Sequence, residues 1–264
     1  MPPTRLTVTS TEDVTPAMRR VWFRSEDLSA FAGSEDTDRY VKLVFPRPGV
    51  ELPEGLSPRE LRDVVAPEDL PVVRTYTALF PDVASGTLAI DFVVHGDSGV
   101  AGPWARRARP GDVIEANGPG GGYRPDPTAD VHLLVGDESA VPAITAALAA
   151  LPADAVGHAL VLVDSPAHEP PLTALEGVTV RFLHRSAGDR LADAVRAWPW
   201  PEGRVQAFVH GEAQEVMHRV RPYLLKERGI PRADASISGY WRQGRTEEGF
   251  REWKSELAAR EEQS

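Results

Sequence analysis

From Leu6 to about Asp112, apolar and polar residues alternate in short runs, as in Arg20–Phe23, Tyr40–Phe45, Thr75–Leu79, Leu88–Val94 and Asp112–Ala116. Clusters rich in proline and glycine (PRPG, PEG, RPGD) punctuate them. A two-residue period between turn formers predicts strands with one buried face, arranged as an antiparallel barrel or sandwich. Glu51–Pro71 breaks the pattern. It is polar and proline-rich, and reads as an excursion between strands with a short helix at Pro58–Val65.

Near Val131 the pattern changes. VHLLVG, HALVLVD, GVTVRFLHR and RVQAFVHG are compact apolar runs, with helical composition in ESAVPAITAALAAL, Arg190–Ala197 and Ala213–Glu227. Continuous apolar strands alternating with helices predict a doubly wound parallel sheet covered on both faces. The change falls in GPGGGYRPDPTAD, which divides the chain into an antiparallel domain at 1–127 and an α/β domain at 128–264. The stretch from Thr246 reads as a solvated amphipathic helical tail.

Composition narrows the chemistry. The 264 residues are 42% hydrophobic and 26% charged, the balance of a soluble globular chain. With 29 basic against 39 acidic residues the formal charge is −10, which disfavours nucleic acid and anionic lipid as partners. Cysteine is absent, which excludes thiol nucleophiles, disulfides and thiolate-ligated metal centres. Redox chemistry would therefore need a borrowed cofactor. No apolar run approaches the ~18 residues of a membrane span, and the N-terminus carries no secretory signal pattern. The expectation is a cytoplasmic protein without membrane insertion.

Five segments could carry chemistry. In Arg74-Thr75-Tyr76-Thr77 strand alternation puts Arg74 and Tyr76 on one face, suited to a ligand with both a phosphate and a flat ring. An ordinary, partly exposed strand reads equally well. His95 ends the strand DFVVHG, and Gly99-Val100-Ala101-Gly102-Pro103-Trp104 follows as a small-residue loop opening a helix, a place where backbone N–H groups can approach an anion. The plainer reading is a turn with Trp104 in the core. Gly118, Gly120 and Gly121 lie in a glycine-rich stretch that lacks the G-x-G-x-x-G spacing. Asp137, Glu138, Ser139 and Ala140 follow a strand and open a helix, where a pyridine dinucleotide would lay its pyrophosphate. Finally, Glu212 ends the fourth strand of the second half, and GYWRQG brings Trp241 and Arg242 after a late strand. These aromatic and basic residues could cover a flat ring or staple the tail.

Together these segments resemble the siderophore-interacting proteins, FAD-dependent ferric-siderophore reductases of the ferredoxin-reductase-like group. The resemblance rests on VKLVFP, RTYT, DFVVHG with GPWA, Gly111-Asp112, NGPGGG, LLVGDESAVPAI, HGEA and GYWRQG, which occur in family order from about residue 5 to 245. It implies a six-stranded Greek-key FAD-binding barrel followed by an NAD(P)H-binding domain, and a role in iron acquisition. Arg74 would bind the FAD pyrophosphate, Tyr76 would lie along the ring and ribityl chain, and Thr75 and Thr77 would complete the motif with Thr77 near the flavin. His95 would approach the FAD. Gly99, Val100, Ala101, Gly102 and Trp104 would surround its phosphates, and Gly118, Gly120 and Gly121 would let the chain come close. Asp137, Glu138, Ser139, Ala140 and Glu212 would line the nicotinamide side, with Trp241 near the flavin ring.

The flavin carries the reaction in such proteins, so no catalytic side chain and no metal ligand is expected. Iron would arrive inside its chelator. An anionic chelate approaching a chain of charge −10 calls for a local basic patch, for which Lys42, Arg124 and Arg242 are the candidates, with Arg245 in reserve. NADH and NADPH stay open as donors. Asp164, ending the second strand of the α/β half, favours a free ribose 2′-hydroxyl, whereas Arg181 and Arg185 could meet a 2′-phosphate. Ferredoxin is a further donor, and a monomer is the expected state. A general flavin or quinone reductase, or a siderophore-binding flavoprotein with little turnover, would keep the same motifs.

Overall fold

The computed structural model describes residues 3–94, 96 and 99–244. The chain divides into two compact units. One holds the residues through Arg124 together with Thr145–Ala150 and Ala167–Thr173, and the other holds the remainder from Pro125 onward. His95, Arg245 and the tail from Thr246 lie outside the described residues.

The first unit is built on β1 (Thr4–Thr15), β2 (Met18–Arg24), β3 (Tyr40–Phe45), β4 (Val72–Thr77), β5 (Leu79–Asp82), β6 (Thr87–Val93) and β7 (Val113–Gly120). They form one antiparallel sheet in the order β4-β3-β7-β1-β2-β6-β5. Within it β7-β1-β2-β6 is the Greek-key order, because the chain leaves β6 and returns on the far side of the β1–β2 hairpin. The sheet has seven strands where the family resemblance implied six. The additional strand is the four-residue β5, which the sequence pattern merges with β4. Ala78 separates the two, buried, with its N–H donating to Arg39 O at 2.7 Å. Phe80, two residues on and inside β5, has φ 51°, which departs from extended strand geometry.

Period two sets the core. Leu6 and Val8, Val21 and Phe23, Val41 and Leu43, and Leu88, Ile90 and Phe92 point into one cluster. Asp91 faces the other way yet is buried, because Arg20 on the neighbouring strand reaches both its oxygens at 2.7 and 2.9 Å. The expected helix in the Glu51–Pro71 excursion is α1 (Pro58–Val64), started by a reciprocal capping box between Ser57 and Glu60. The second helix, α2 (Ala101–Arg107), follows β6.

In the second unit β8 (Val131–Asp137), β9 (Gly157–Val163), β10 (Val178–His184), β11 (Val205–Glu212) and β12 (Ala235–Trp241) form a wholly parallel sheet in the order β10-β9-β8-β11-β12. Helix α3 (Val141–Ala150) follows β8, α4 (Leu191–Ala197) follows β10, and α5 begins at Ala213–Glu215 and runs on through π-helical turns at Val216–Val220 and Tyr223–Glu227. Leu133 and Val135 face a cluster shared with Leu191 and Val195 of α4 and with Val216, Val220 and Leu224. On the opposite face Gly136 lies so close to Ala140 that a Cβ there would meet the alanine methyl at 2.5 Å. Strand order reverses between β8 and β11, which makes their carboxyl ends the switch point where open α/β sheets bind ligands.

Candidate functional site

In the first unit β4 displays the arginine-tyrosine pair as expected. Register places Arg74 opposite Leu43 and Tyr76 opposite Val41, both core positions of β3, so the two side chains lie on the inward face at the barrel's edge. Thr75 is exposed and Thr77 buried. The Tyr76 ring lies 4.6 Å from Phe92, and Phe92 lies 5.7 Å from Trp104 of α2. Trp104 also meets Phe23 and Phe45, so it is part of the aromatic core. These contacts bring β4 and α2 to the same edge. No side chain caps the first turn of α2, which leaves Val100, Ala101 and Gly102 beside backbone donors. Gly99 has φ 81° and open space where a Cβ would be, a shape that admits a bulky ligand.

The opposite face of the same strands carries a polar row, Thr75, Lys42 and Asn117, aligned across β4, β3 and β7. Lys42 is exposed, and Asn117 Nδ2 is buried without a hydrogen-bond partner. The glycines of β7 and the following loop have a reason inside the chain itself. Gly118 has φ 135° and lies against Tyr40 O, where a Cβ would be 2.8 Å away. A Cβ on Gly120 would strike the Tyr40 ring at 2.4 Å, and one on Gly121 would strike Asp36 at 2.5 Å. Arg124, expected in a basic patch, forms an ion pair with Glu35.

A cavity of about 560 Å³ opens along the carboxyl ends of the second sheet. Its wall includes Arg185 after β10, Leu162 of β9, Asp137 of β8, Glu212 of β11 and Trp241 of β12, so it crosses all five strands. Of the residues expected on the nicotinamide side, Asp137 and Glu212 line it, and they are joined there by Trp241, expected near the flavin ring, and by Arg242, expected in a basic patch for the chelate. Asp137 holds the place together. Its Oδ1 accepts from the Ser139 N–H at 2.9 Å and hydroxyl at 2.5 Å, and its Oδ2 from Glu212 N–H at 2.7 Å and the Trp241 indole at 2.8 Å. Burial pushes its proton affinity above the usual carboxylate range, with the Ser139 and Trp241 hydrogen bonds opposing. Glu212 caps α5 through Glu215 N–H at 2.9 Å and receives Gln243 N–H at 3.2 Å. Ala140 is buried against Gly136 and takes no part in the wall. Glu138 turns away to grip Arg185, Nη1 to Oε1 at 2.5 Å and Nη2 to Oε2 at 2.7 Å.

The sequence reading missed Arg190, Glu215 and Arg219. Glu215 receives Arg190 at 3.4 Å, Arg219 at 3.2 Å and the Ala192 N–H at 3.3 Å, joining α4 and α5 at the cavity rim. Their position just after parallel strands, at helix starts, is the one local signal that could have drawn attention to them. Among the described residues no His, Asp and Glu grouping suits a metal ion.

An antiparallel Greek-key unit before a parallel sheet with a cavity at its switch point is the plan of ferredoxin reductases. The reductase of carbazole 1,9a-dioxygenase shares the fold with a TM-score of 0.64 at 16% identity, over 90% of this chain and 69% of its own. More particularly, residues 7–123 match the siderophore-interacting FAD-binding domain and residues 129–244 the siderophore-interacting protein domain. The chain belongs to the siderophore-interacting protein family. It is 47% identical to an uncharacterized protein of Mycobacterium tuberculosis, over 96% of this chain and 95% of the relative. Ferric vibriobactin reductase ViuB of Vibrio cholerae is 35% identical, with coverage of 90% and 89%. The NADPH-dependent ferric-chelate reductase of Escherichia coli is 33% identical, with coverage of 89% and 91%. The crystal structure of a siderophore utilization protein from T. fusca aligns with a TM-score of 0.75 at 36% identity, over 92% and 93%. No helix among the described residues is long and apolar enough to cross a membrane.

Proposed function

We propose that the protein is an FAD-dependent ferric-siderophore reductase fed by a nicotinamide dinucleotide. The observation that carries this reading is the five-strand cavity at the switch point of the second unit, in a chain whose first unit is an FAD-binding domain of this family. When bound, a flavin would supply two-electron acceptance from a reduced nicotinamide and one-electron delivery to ferric iron, whose ferrous form hard oxygen chelators hold more weakly.

The residues of the first unit fit such a cofactor. Arg74 supplies a planar fork of donors for a pyrophosphate, and the uncapped turn of α2 supplies backbone N–H groups. Tyr76 offers an aromatic face at the barrel's edge. In the second unit Asp137 and Glu212 fix the strand ends and Trp241, so the cavity wall is ordered before any ligand arrives. The decisive experiment is an anaerobic visible titration of the purified protein. Flavin absorbance should bleach on adding reduced nicotinamide and recover on adding a ferric siderophore, as ferrous iron appears. A flavin that no nicotinamide bleaches would assign another donor, ferredoxin among them, and a protein that holds no flavin would end this reading.

The chelate needs positive charge against the chain's net −10. Arg124 is already matched by Glu35 and Arg242 belongs to the second unit's cavity, which leaves exposed Lys42 as the first unit's strongest candidate. Lys42→Glu should raise KM for an anionic ferric catecholate about tenfold at low salt and leave KM for the nicotinamide unchanged. Equal changes in both would remove Lys42 from chelate recognition.

A further inference from the structure

At the far end of the second unit's cavity the wall is formed by Arg185, Asp189 and Arg190. Five parallel strands stand about 4.8 Å apart, so the wall from Trp241 at the end of β12 to Arg185 after β10 extends on the order of 19 Å. That is room for an extended dinucleotide with Trp241 at one end and Arg185 at the other.

Arg185 is not available there as a loose cation. Its two terminal nitrogens are forked onto Glu138, whose side chain is 9% exposed against 33% for the arginine. Asp164, exposed, follows β9 immediately beside it, and the N–H of Ser186 donates to the Asp164 backbone oxygen at 2.9 Å. One arginine thus faces the carboxylates of Glu138 and Asp164, with Asp137 also acting on it through space. Of the wall's other arginines, Arg190 and Arg219 both pair with Glu215, so a 2′-phosphate arriving at this end would find Arg185 held by Glu138 with Asp164 beside it. Drawing Arg185 to itself would strip the buried Glu138 of its partner, a costly change. A free ribose hydroxyl instead finds a carboxylate acceptor at the end of the second strand, the arrangement by which such sheets hold NAD.

We propose that Glu138, by pinning and neutralising Arg185 beside Asp164, makes the protein prefer NADH over NADPH. This rests on the reading that the cavity takes a nicotinamide dinucleotide. It makes Glu138 a positioning residue, acting through Arg185, and Asp164 the group that meets the ribose.

Calorimetric titration of the flavin-loaded protein with NAD⁺, NADP⁺, 5′-AMP and 2′,5′-ADP tests it by binding alone. The wild type should bind NAD⁺ and 5′-AMP at least about tenfold more tightly than their 2′-phosphorylated counterparts. Glu138→Gln should tighten NADP⁺ and 2′,5′-ADP by about tenfold, while NAD⁺ stays within about threefold. Asp164→Asn, on an exposed side chain, should move the NAD⁺ to NADP⁺ ratio the same way and keeps the test open if the buried substitution unfolds the protein. Tighter NADP⁺ binding by the wild type, or an unchanged ratio in the folded variants, would overturn the proposal while leaving the nicotinamide site intact. Binding of none of the four compounds would overturn it together with the nicotinamide donor itself.

Discussion

Replacing Asp137 with alanine should destabilise the second unit by about 3 kcal/mol or more, read as a lower midpoint in urea or thermal unfolding. The carboxylate is 1% exposed and accepts from four donors on three segments: the Ser139 N–H and hydroxyl, the Glu212 N–H and the Trp241 indole. Alanine leaves those donors in a buried space with nothing to receive them, and each unpaired buried group costs roughly 1–3 kcal/mol. The carboxyl ends of β8, β11 and β12 lose their common tie, so nicotinamide binding should weaken with stability. Asp137→Asn keeps one acceptor oxygen and should fall between alanine and the wild type. A loss below about 1 kcal/mol for alanine would mean that water takes over the carboxylate's role.

The same residue has a pH signature. Because burial raises its folded-state pKa above the unfolded value, the folded protein binds this proton more tightly than the unfolded chain. The resulting stability is fully present below the unfolded pKa and is lost as pH rises through the folded one. Subtracting the Asp137→Asn profile from the wild-type profile should isolate a downward slope over that interval.

Replacing Arg74 with alanine should raise the dissociation constant for FAD about 10- to 100-fold, the worth of ~1.5–3 kcal/mol for charge-assisted hydrogen bonds. The proposed contact with the pyrophosphate is supported by its place on the inward face of β4, on the same edge as the uncapped first turn of α2. Arg74→Lys keeps the charge without the planar fork and should recover only part of the affinity. Flavin fluorescence released on dilution measures both. Wild-type retention of FAD by the alanine variant would place the phosphates elsewhere.

Local rules account for much of this molecule. Alternation in β2, β3 and β6 identifies their core faces, and Ser57 with Glu60 marks the start of α1 through a contact only three residues long. Unbroken apolar runs announce β8, β9 and β11, since a strand covered on both faces has no polar side to show, whereas β10, at the sheet's edge, alternates. β12 was legible only as a late strand without bounds, and it includes Trp241 rather than ending before it. Ala235-Ser236-Ile237-Ser238 has no apolar run, and the segment becomes a strand because β11 offers it a parallel edge. β5 is hidden for a different reason, a break at Ala78 and a positive φ at Phe80 that no residue type there advertises.

The candidate site divides along the same line. Residue chemistry and order along the chain were enough to single out Arg74 and Tyr76, Asp137 and Glu138, Glu212, and Trp241. Which of them touch was decided by the tertiary structure, because hydrogen bonds spanning 75 and 104 residues exist only once three strands lie side by side. Sequence spacing likewise offered Glu138 and Arg185 as independent ligands. The fold pairs them with each other, 47 residues apart. Short-range patterns carry secondary structure since their interactions close within a few residues. Pairing of charges and donors at a site depends on which strand ends the sheet order makes neighbours, and that order is a property of the whole chain.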